Sequence, residues 1–241
     1  MNIRLNQYGQ PIGPEIAGWS SRPRPPRSDV TGRYCRLEAV NPLRHGADLY
    51  AAYMEAPDGR DWTYLFDERP EGEEDFASYL AKLASSADPL HFAIIESHSN
   101  KAVGTAALMR IDPAHGGLEV GWITFSPRLK RTRVATESMY LMMRLAFDEL
   151  GYRRYEWKCD SLNAPSRAAA LRYGFTFEGI FRNAVIYKGR NRDTAWYSIT
   201  DHEWPRVRSA FEDWLDPSNF DEHGRQRRRL QDLRESLSCS A

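Results

Sequence analysis

The stretch Gly117-Leu-Glu-Val-Gly-Trp-Ile-Thr-Phe-Ser-Pro-Arg-Leu-Lys-Arg-Thr-Arg-Val-Ala-Thr-Glu137 decides the fold, because it passes from a strand through a cationic loop into a helix. From Leu118 to Phe125 apolar and small residues recur with the strand period, and Pro127 cannot continue a hydrogen-bonded ladder. Beyond Thr132 the pattern changes to Ala135, Met139, Met142, Ala146 and Leu150, one face of a helix, with Gly151 as its stop. Between the two elements stand Arg128, Lys130, Arg131 and Arg133. The unpaired N–H groups and positive dipole end of the helix therefore open inside fixed positive charge, a corner suited to phosphate or pyrophosphate.

Upstream, His91–Glu96 and Ala102–Ile111 are two strands joined by a Ser/Asn/Lys turn, an antiparallel pair that leads into the strand ending at Phe125. Downstream, Tyr155, Trp157 and Cys159 alternate with Arg154, Glu156 and Lys158 in a strand over 152–160. Because it follows a crossover helix, that strand should lie parallel to its predecessor. Asn163–Phe175 predicts a short helix with Pro165 in its first turn and Gly174 at its end. Phe177–Tyr187, a turn over Lys188–Asp193, and Thr194–Thr200 predict a long hairpin whose charged tip is either solvated or faces an acceptor or a second subunit. Nearer the N-terminus, Tyr34–Val40 reads as a strand, and Pro42–Met54 and Glu71–Leu83 as helices. The aromatic cluster Asp61-Trp-Thr-Tyr-Leu-Phe66 between those helices can pack a core or wall a ligand site. This order predicts an α+β fold, a mixed and mostly antiparallel sheet with a central β-α-β crossing.

The ends differ from the middle. Residues 1–30 carry Pro11, Pro14, Pro23, Pro25 and Pro26 beside Arg22, Arg24 and Arg27, and predict an extended arm. Residues 31–204 form the expected domain, and 205–241 a basic extension whose closing piece, from Trp204 to Arg229, reads as surface helices. At 241 residues with 41% hydrophobic side chains, the chain can bury one sizeable core. Lys plus Arg and Asp plus Glu number 33 each, so no overall field draws the protein to nucleic acid or an anionic membrane, and neither is expected as a partner. Cys35, Cys159 and Cys239 are too few and too scattered for a disulfide framework or a zinc site, which predicts no metal and a reducing, cytoplasmic setting. The first residues lack a signal-like apolar stretch, and no run approaches a membrane span. A homodimer is compatible with the arm and the extension.

Over about residues 30–204 these elements and motifs resemble the GNAT superfamily of acyl-CoA N-acetyltransferases, in its RimJ/RimL-like branch of ribosomal-protein alanine N-acetyltransferases. The family loop, Arg/Gln-x-x-Gly-x-Gly/Ala, corresponds to Lys130, Arg133 and Ala135, with Arg133 in place of the usual central glycine. Either the loop is wider here or the arginine itself meets a phosphate. Ala135-Thr-Glu137, Asn163-x-x-Ser166-Arg167, Gly174-Phe175 and Glu178-Gly179 agree with the branch. The resemblance implies a GNAT-like sheet with helices on both faces, acetyl-CoA as co-substrate, and a peptide or small-molecule amine as acceptor. It places pyrophosphate on Lys130, Arg131, Thr132, Arg133, Val134, Ala135 and Thr136, and it implies that Asn163 contacts the cofactor while Ser166 donates or relays a proton to the sulfur.

Acetyl transfer from a thioester to an amine needs a polarised carbonyl, a neutral amine and a proton for the departing thiolate. Where Ile123, Thr124 and Phe125 splay from the strand ending near Asp160, backbone N–H groups can hold the pantetheine amides and the thioester oxygen. Glu119 is the candidate base, acting through water, because a partly buried carboxylate at a cleft has a raised pKa; an exposed, ion-paired strand carboxylate is the competing reading. For Asn163 and Ser166 the competing reading is helix capping. Many family members carry a general-acid tyrosine four residues before the Gly-Phe pair, where this chain has Ala170; Tyr173 is a secondary candidate or a core residue. His115 lies in a turn, either lining the acceptor side or exposed. The missing tyrosine and Arg133 also suit a non-catalytic acyl-CoA-binding or sensing module.

Overall fold

The computed structural model describes residues 4–237, so Cys239 and the first three residues of the arm lie outside the described residues. In chain order the elements are β1 (Arg4–Leu5), β2 (Pro11–Ile12), β3 (Val30–Thr31), β4 (Cys35–Ala39), α1 (Pro42–Met54), α2 (Glu73–Ser85), β5 (Leu90–Glu96), β6 (Lys101–Asp112), β7 (Gly117–Phe125), α3 (Arg133–Arg144), β8 (Arg154–Asp160), α4 (Ala164–Tyr173), β9 (Thr176–Tyr187), β10 (Arg190–Thr200), α5 (Trp204–Leu215) and α6 (Leu230–Ser236). β1 and β2 form a separate small hairpin, and the other eight strands form one sheet in the order β3-β4-β5-β6-β7-β8-β10-β9. β7 and β8 are parallel, and every other pair in that sheet is antiparallel. This is the predicted α+β sheet with a central crossing, made here by α3.

Alternation along β5 shows how the sheet is covered. Phe92 and Ile94 join the larger core, with α3, α5 and α6, while Ala93 and Ile95 join the smaller one, with α1 and α2. Helices therefore bury both faces. The α1 boundary follows from chemistry at its start: Asn41 Oδ1 accepts from the N–H groups of Leu43 and Arg44, and Pro42 occupies the first turn, where no donor is needed. α3 continues through a wider turn over Leu145–Glu149 and stops at Gly151, whose φ of 69° a side chain would strain. The proline-rich arm lies along its own domain: Trp19 Nε1 donates to Ala114 O (2.8 Å), and Arg27 donates to Ala84 O and Ser86 O.

Two expectations need correction. The hairpin turn is not six residues but Lys188-Gly189 alone, both at positive φ (49° and 68°), a geometry that matches the twist of the flanking strands. Arg190, Asn191 and Arg192 consequently belong to β10, and Arg192 is buried. Likewise, α5 is not a surface helix. Trp204, Val207, Ala210, Phe211, Trp214 and Leu215 are buried in the main core, and Tyr140 of α3 stacks on both Trp204 and Phe211. The alternation of charge with these apolar residues hid a complete amphipathic face.

Candidate active site

The parallel ladder between β7 and β8 is short. It runs from Gly117↔Arg154 to Val120↔Trp157 and ends, although β7 continues to Phe125 and β8 to Asp160. A bulge turns β7 away: Gly121 pairs with Ala107 and Thr124 with Thr105, leaving Trp122 and Ile123 opposite the single Ala106. Trp122 sits at φ 48°, a conformation uncommon for a bulky residue and held here by its side chain. Its Nε1 donates to Asp67 Oδ2 (2.9 Å), and its ring stacks on Phe66 at 5.6 Å. The result is a wedge between two neighbouring strands, opening into a cleft of about 1360 Å³. That volume exceeds an ordinary small-ligand pocket and suits two substrates side by side.

The cationic loop and the start of α3 form one mouth of the cleft. Thr132 caps α3, its hydroxyl accepting from Ala135 N (3.1 Å), which leaves the N–H groups of Arg133 and Val134 without acceptors in the helix. Lys130 pairs with Asp61, Arg128 with Glu55, and exposed Arg131 adopts φ 63°. Lys130, Arg131, Thr132, Arg133, Ala135 and Thr136 all line the cleft; Val134 does not, its side chain being buried in the main core. Arg133 is held between aromatic rings, 5.0 Å from Tyr34 and 4.6 Å from Phe220. Its position at the usual glycine thus belongs to a contact with the C-terminal segment, and that segment supplies Trp214, Phe220, Gln226 and Gln231 as a further wall.

Deeper in the wedge lie Ile123, Thr124, Phe125, Asn163, Ser166 and Glu119. Asn163 Oδ1 caps α4 by accepting from Ser166 N (3.1 Å). Ser166 Oγ accepts from Trp157 Nε1 (3.0 Å). Glu119 is buried and ion-paired, so the two competing readings of it merge. Its Oε2 lies 3.1 Å from Lys158 Nζ and 3.2 Å from Arg110 Nε, sealed from solvent between the two cations. Burial pushes its pKa up against the pull of Lys158 and Arg110. Lys158 itself is shared with Glu156 at 2.6 Å and sits over the Trp196 ring at 3.8 Å.

Other candidates separate from the cleft or take structural places. His115 is exposed and paired with Asp112. Tyr173 lines the cleft but is buried among Trp157 and Phe211, and burial raises its pKa. Glu137 turns into the protein, where its carboxylate accepts from Arg33 N, Tyr34 N and Cys35 N at 2.6–2.8 Å. The lining also includes Arg60, Arg110 and Lys158, which sequence reasoning did not single out as site residues, and Arg192, which it grouped with Lys188, Arg190 and Asp193 as a charged tip either solvated or facing an acceptor or a second subunit. For Lys158 the available signal was strand alternation, which sets it on the same sheet face as Glu156, the register partner of Glu119; Arg110 reaches that face only through a bulge after Met109, where its own φ is 50°. Among the described residues no cluster could hold a metal ion, and no helix is long and apolar enough to cross a membrane.

Comparison with known proteins agrees with this geometry. Residues 36–176 match the model of the acetyltransferase (GNAT) domain. A GCN5-related N-acetyltransferase from Brucella melitensis is 48% identical, with a TM-score of 0.90 over 91% of this chain and 100% of that one. A probable acetyltransferase of the GNAT family from Chromobacterium violaceum is 40% identical, with a TM-score of 0.75 over 81% of this chain and 98% of that one. The putative ribosomal N-acetyltransferase YdaF of Bacillus subtilis is 28% identical over 102 residues, 42% of this chain and 55% of that protein. With the wedge, the capped helix start and these relatives together, the chain belongs to the GNAT acetyltransferases and is an N-acetyltransferase.

Proposed function

We propose that the protein transfers an acetyl group from acetyl-CoA to a primary amine, on a small molecule or a protein N-terminus, by direct attack of the bound amine. The observation that carries this reading is the early end of the β7–β8 ladder at Val120↔Trp157, in the same cleft that the start of α3 lines with its free N–H groups. The residues present fit coenzyme A: an extended chain with amides suits the open edge of β7, and a pyrophosphate suits Lys130, Arg131 and the N-terminus of α3. In this reading Glu119, whose pKa burial raises, accepts the proton of the incoming ammonium through water. Ser166 relays a proton to the departing sulfur, its hydroxyl taking up in turn the second proton that the attacking nitrogen loses as the C–S bond breaks. Asn163 holds the first turn of α4 in place through its cap on Ser166 N.

Titrating the purified protein with acetyl-CoA by calorimetry tests this reading, with Lys130→Ala and Arg131→Ala as controls. Saturable binding that weakens in the variants is expected. Absence of binding by the wild type would refute the cofactor assignment.

A further inference from the structure

Arg192 is the cation of the acceptor end that has no carboxylate. It stands on β10, is only 8% exposed, and lines the cleft. Its Nε donates to Thr194 Oγ1 (3.2 Å), and its guanidinium lies 5.4 Å from the Phe66 ring and 5.8 Å from the Tyr187 ring. Among the described residues it forms no ion pair within 4.0 Å. Four other cations of the cleft lining do: Lys158 with Glu119 and Glu156, Arg110 with Glu119, Lys130 with Asp61 and Arg60 with Asp58. The carboxylates on adjacent positions are already engaged by neutral donors. Asp160 accepts from Leu162 N (2.9 Å) and Tyr187 Oη (2.8 Å), and Asp193 accepts from Asn183 N and Asn191 Nδ2.

A guanidinium removed from water costs far more than one neutral hydrogen bond returns, and removing it profits the protein only if a partner arrives. Aromatic rings cover faces of such a group and leave its N–H edge, which matches a planar carboxylate in bidentate fashion. Phosphate fits less well, since a dianion at this end would meet Glu119 and Asp160 with one unpaired arginine to offset it.

We propose that the acceptor is an amine that also carries a carboxylate, an amino acid or a peptide with an acidic group near its N-terminus, and that Arg192 binds that carboxylate. This rests on the transferase reading above and names the substrate class of the same cleft. The carboxylate docks on the Arg192 edge, and the amine is left to reach toward Glu119.

The test is acetyl-CoA consumption with the full chain over matched pairs: proteinogenic amino acids and acidic dipeptides, each as free acid and as side-chain and C-terminal amide. The wild type should use the acid of at least one pair about tenfold or more better in kcat/KM than its amide. Arg192→Met should bring that ratio to about one and Arg192→Lys leave it intermediate. The ratio does not depend on the fraction of folded protein. A wild-type ratio near one, or a ratio unchanged in Arg192→Met, overturns the proposal while leaving the transferase reading intact. Silence on both members of every pair, with acetyl-CoA binding retained in calorimetry, overturns the proposal and the amine-acceptor reading together. Free acids favoured over acidic side chains would identify the α-carboxylate as the bound group, and the reverse a peptide side chain; both support it.

Discussion

Trp157 Nε1 donates a 3.0 Å hydrogen bond to Ser166 Oγ. An indole N–H is a donor only, so it occupies a lone pair of the hydroxyl and does not use the O–H proton, which has the Cys159 sulfur as a neighbour. The pair joins β8 to the first turn of α4 at the bottom of the wedge. Ser166→Ala is expected to lower kcat about 100-fold, with acetyl-CoA affinity nearly unchanged, as befits loss of a general acid. Trp157→Phe, which keeps the packing and removes the donor, should lower kcat about tenfold. Steady-state kinetics with a thiol reagent, beside calorimetric affinities, check both; an unchanged kcat in Ser166→Ala would remove the serine from the chemistry.

Glu119 acts as a base only when ionised, and burial raises its pKa above the ordinary glutamate range. The rate should therefore climb with pH along a limb that lies higher than an exposed glutamate would give. Glu119→Gln should lose that limb and about 100-fold in kcat/KM. Lys158→Met should move the limb to still higher pH, because one of the two opposing cations is gone. A profile that is the same in all three proteins would exclude Glu119 as the titrating group.

At the mouth of the cleft, Lys130→Ala and Arg131→Ala should each weaken acetyl-CoA binding about tenfold at low salt and less at high salt, since exposed charges are screened. Calorimetry at two ionic strengths reads this directly. Equal losses at both would point to damaged packing instead.

Glu137 serves the fold rather than the cleft. Its carboxylate satisfies three backbone N–H groups of the segment entering β4, and a Cβ on Gly32 would stand 2.6 Å from it. Glu137→Ala should cost about 3 kcal/mol in urea denaturation, since buried donors lose a charged acceptor. Gly32→Ala should also destabilise.

His91 is buried, its Nδ1 lacks a partner, and burial holds its pKa down to about 4 despite the pull of Asp67. The unfolded chain takes up a proton near pH 6.5, the native protein only near 4. Below pH 6.5 the unfolded state therefore binds more protons, and stability should fall as the pH drops toward 4, by at most about 3 kcal/mol. Above pH 6.5 this residue contributes no slope. Denaturation of His91→Phe across that range should show the slope diminished.

Local chemistry alone determined much of this protein. The alternation of Leu118–Phe125, the break at Pro127 and the Gly151 stop each act within a few residues, so strand, cationic loop and crossover helix were legible, and with them the parallel step that opens the wedge. Tertiary structure decided what faces what. That Arg192 is buried, that Arg133 lies between Tyr34 and Phe220, and that α5 completes the core all depend on segments far apart in the chain. Periodicity reports which side of an element is apolar, but a charged side chain looks the same in sequence whether water or an aromatic wall covers it, and packing makes that choice.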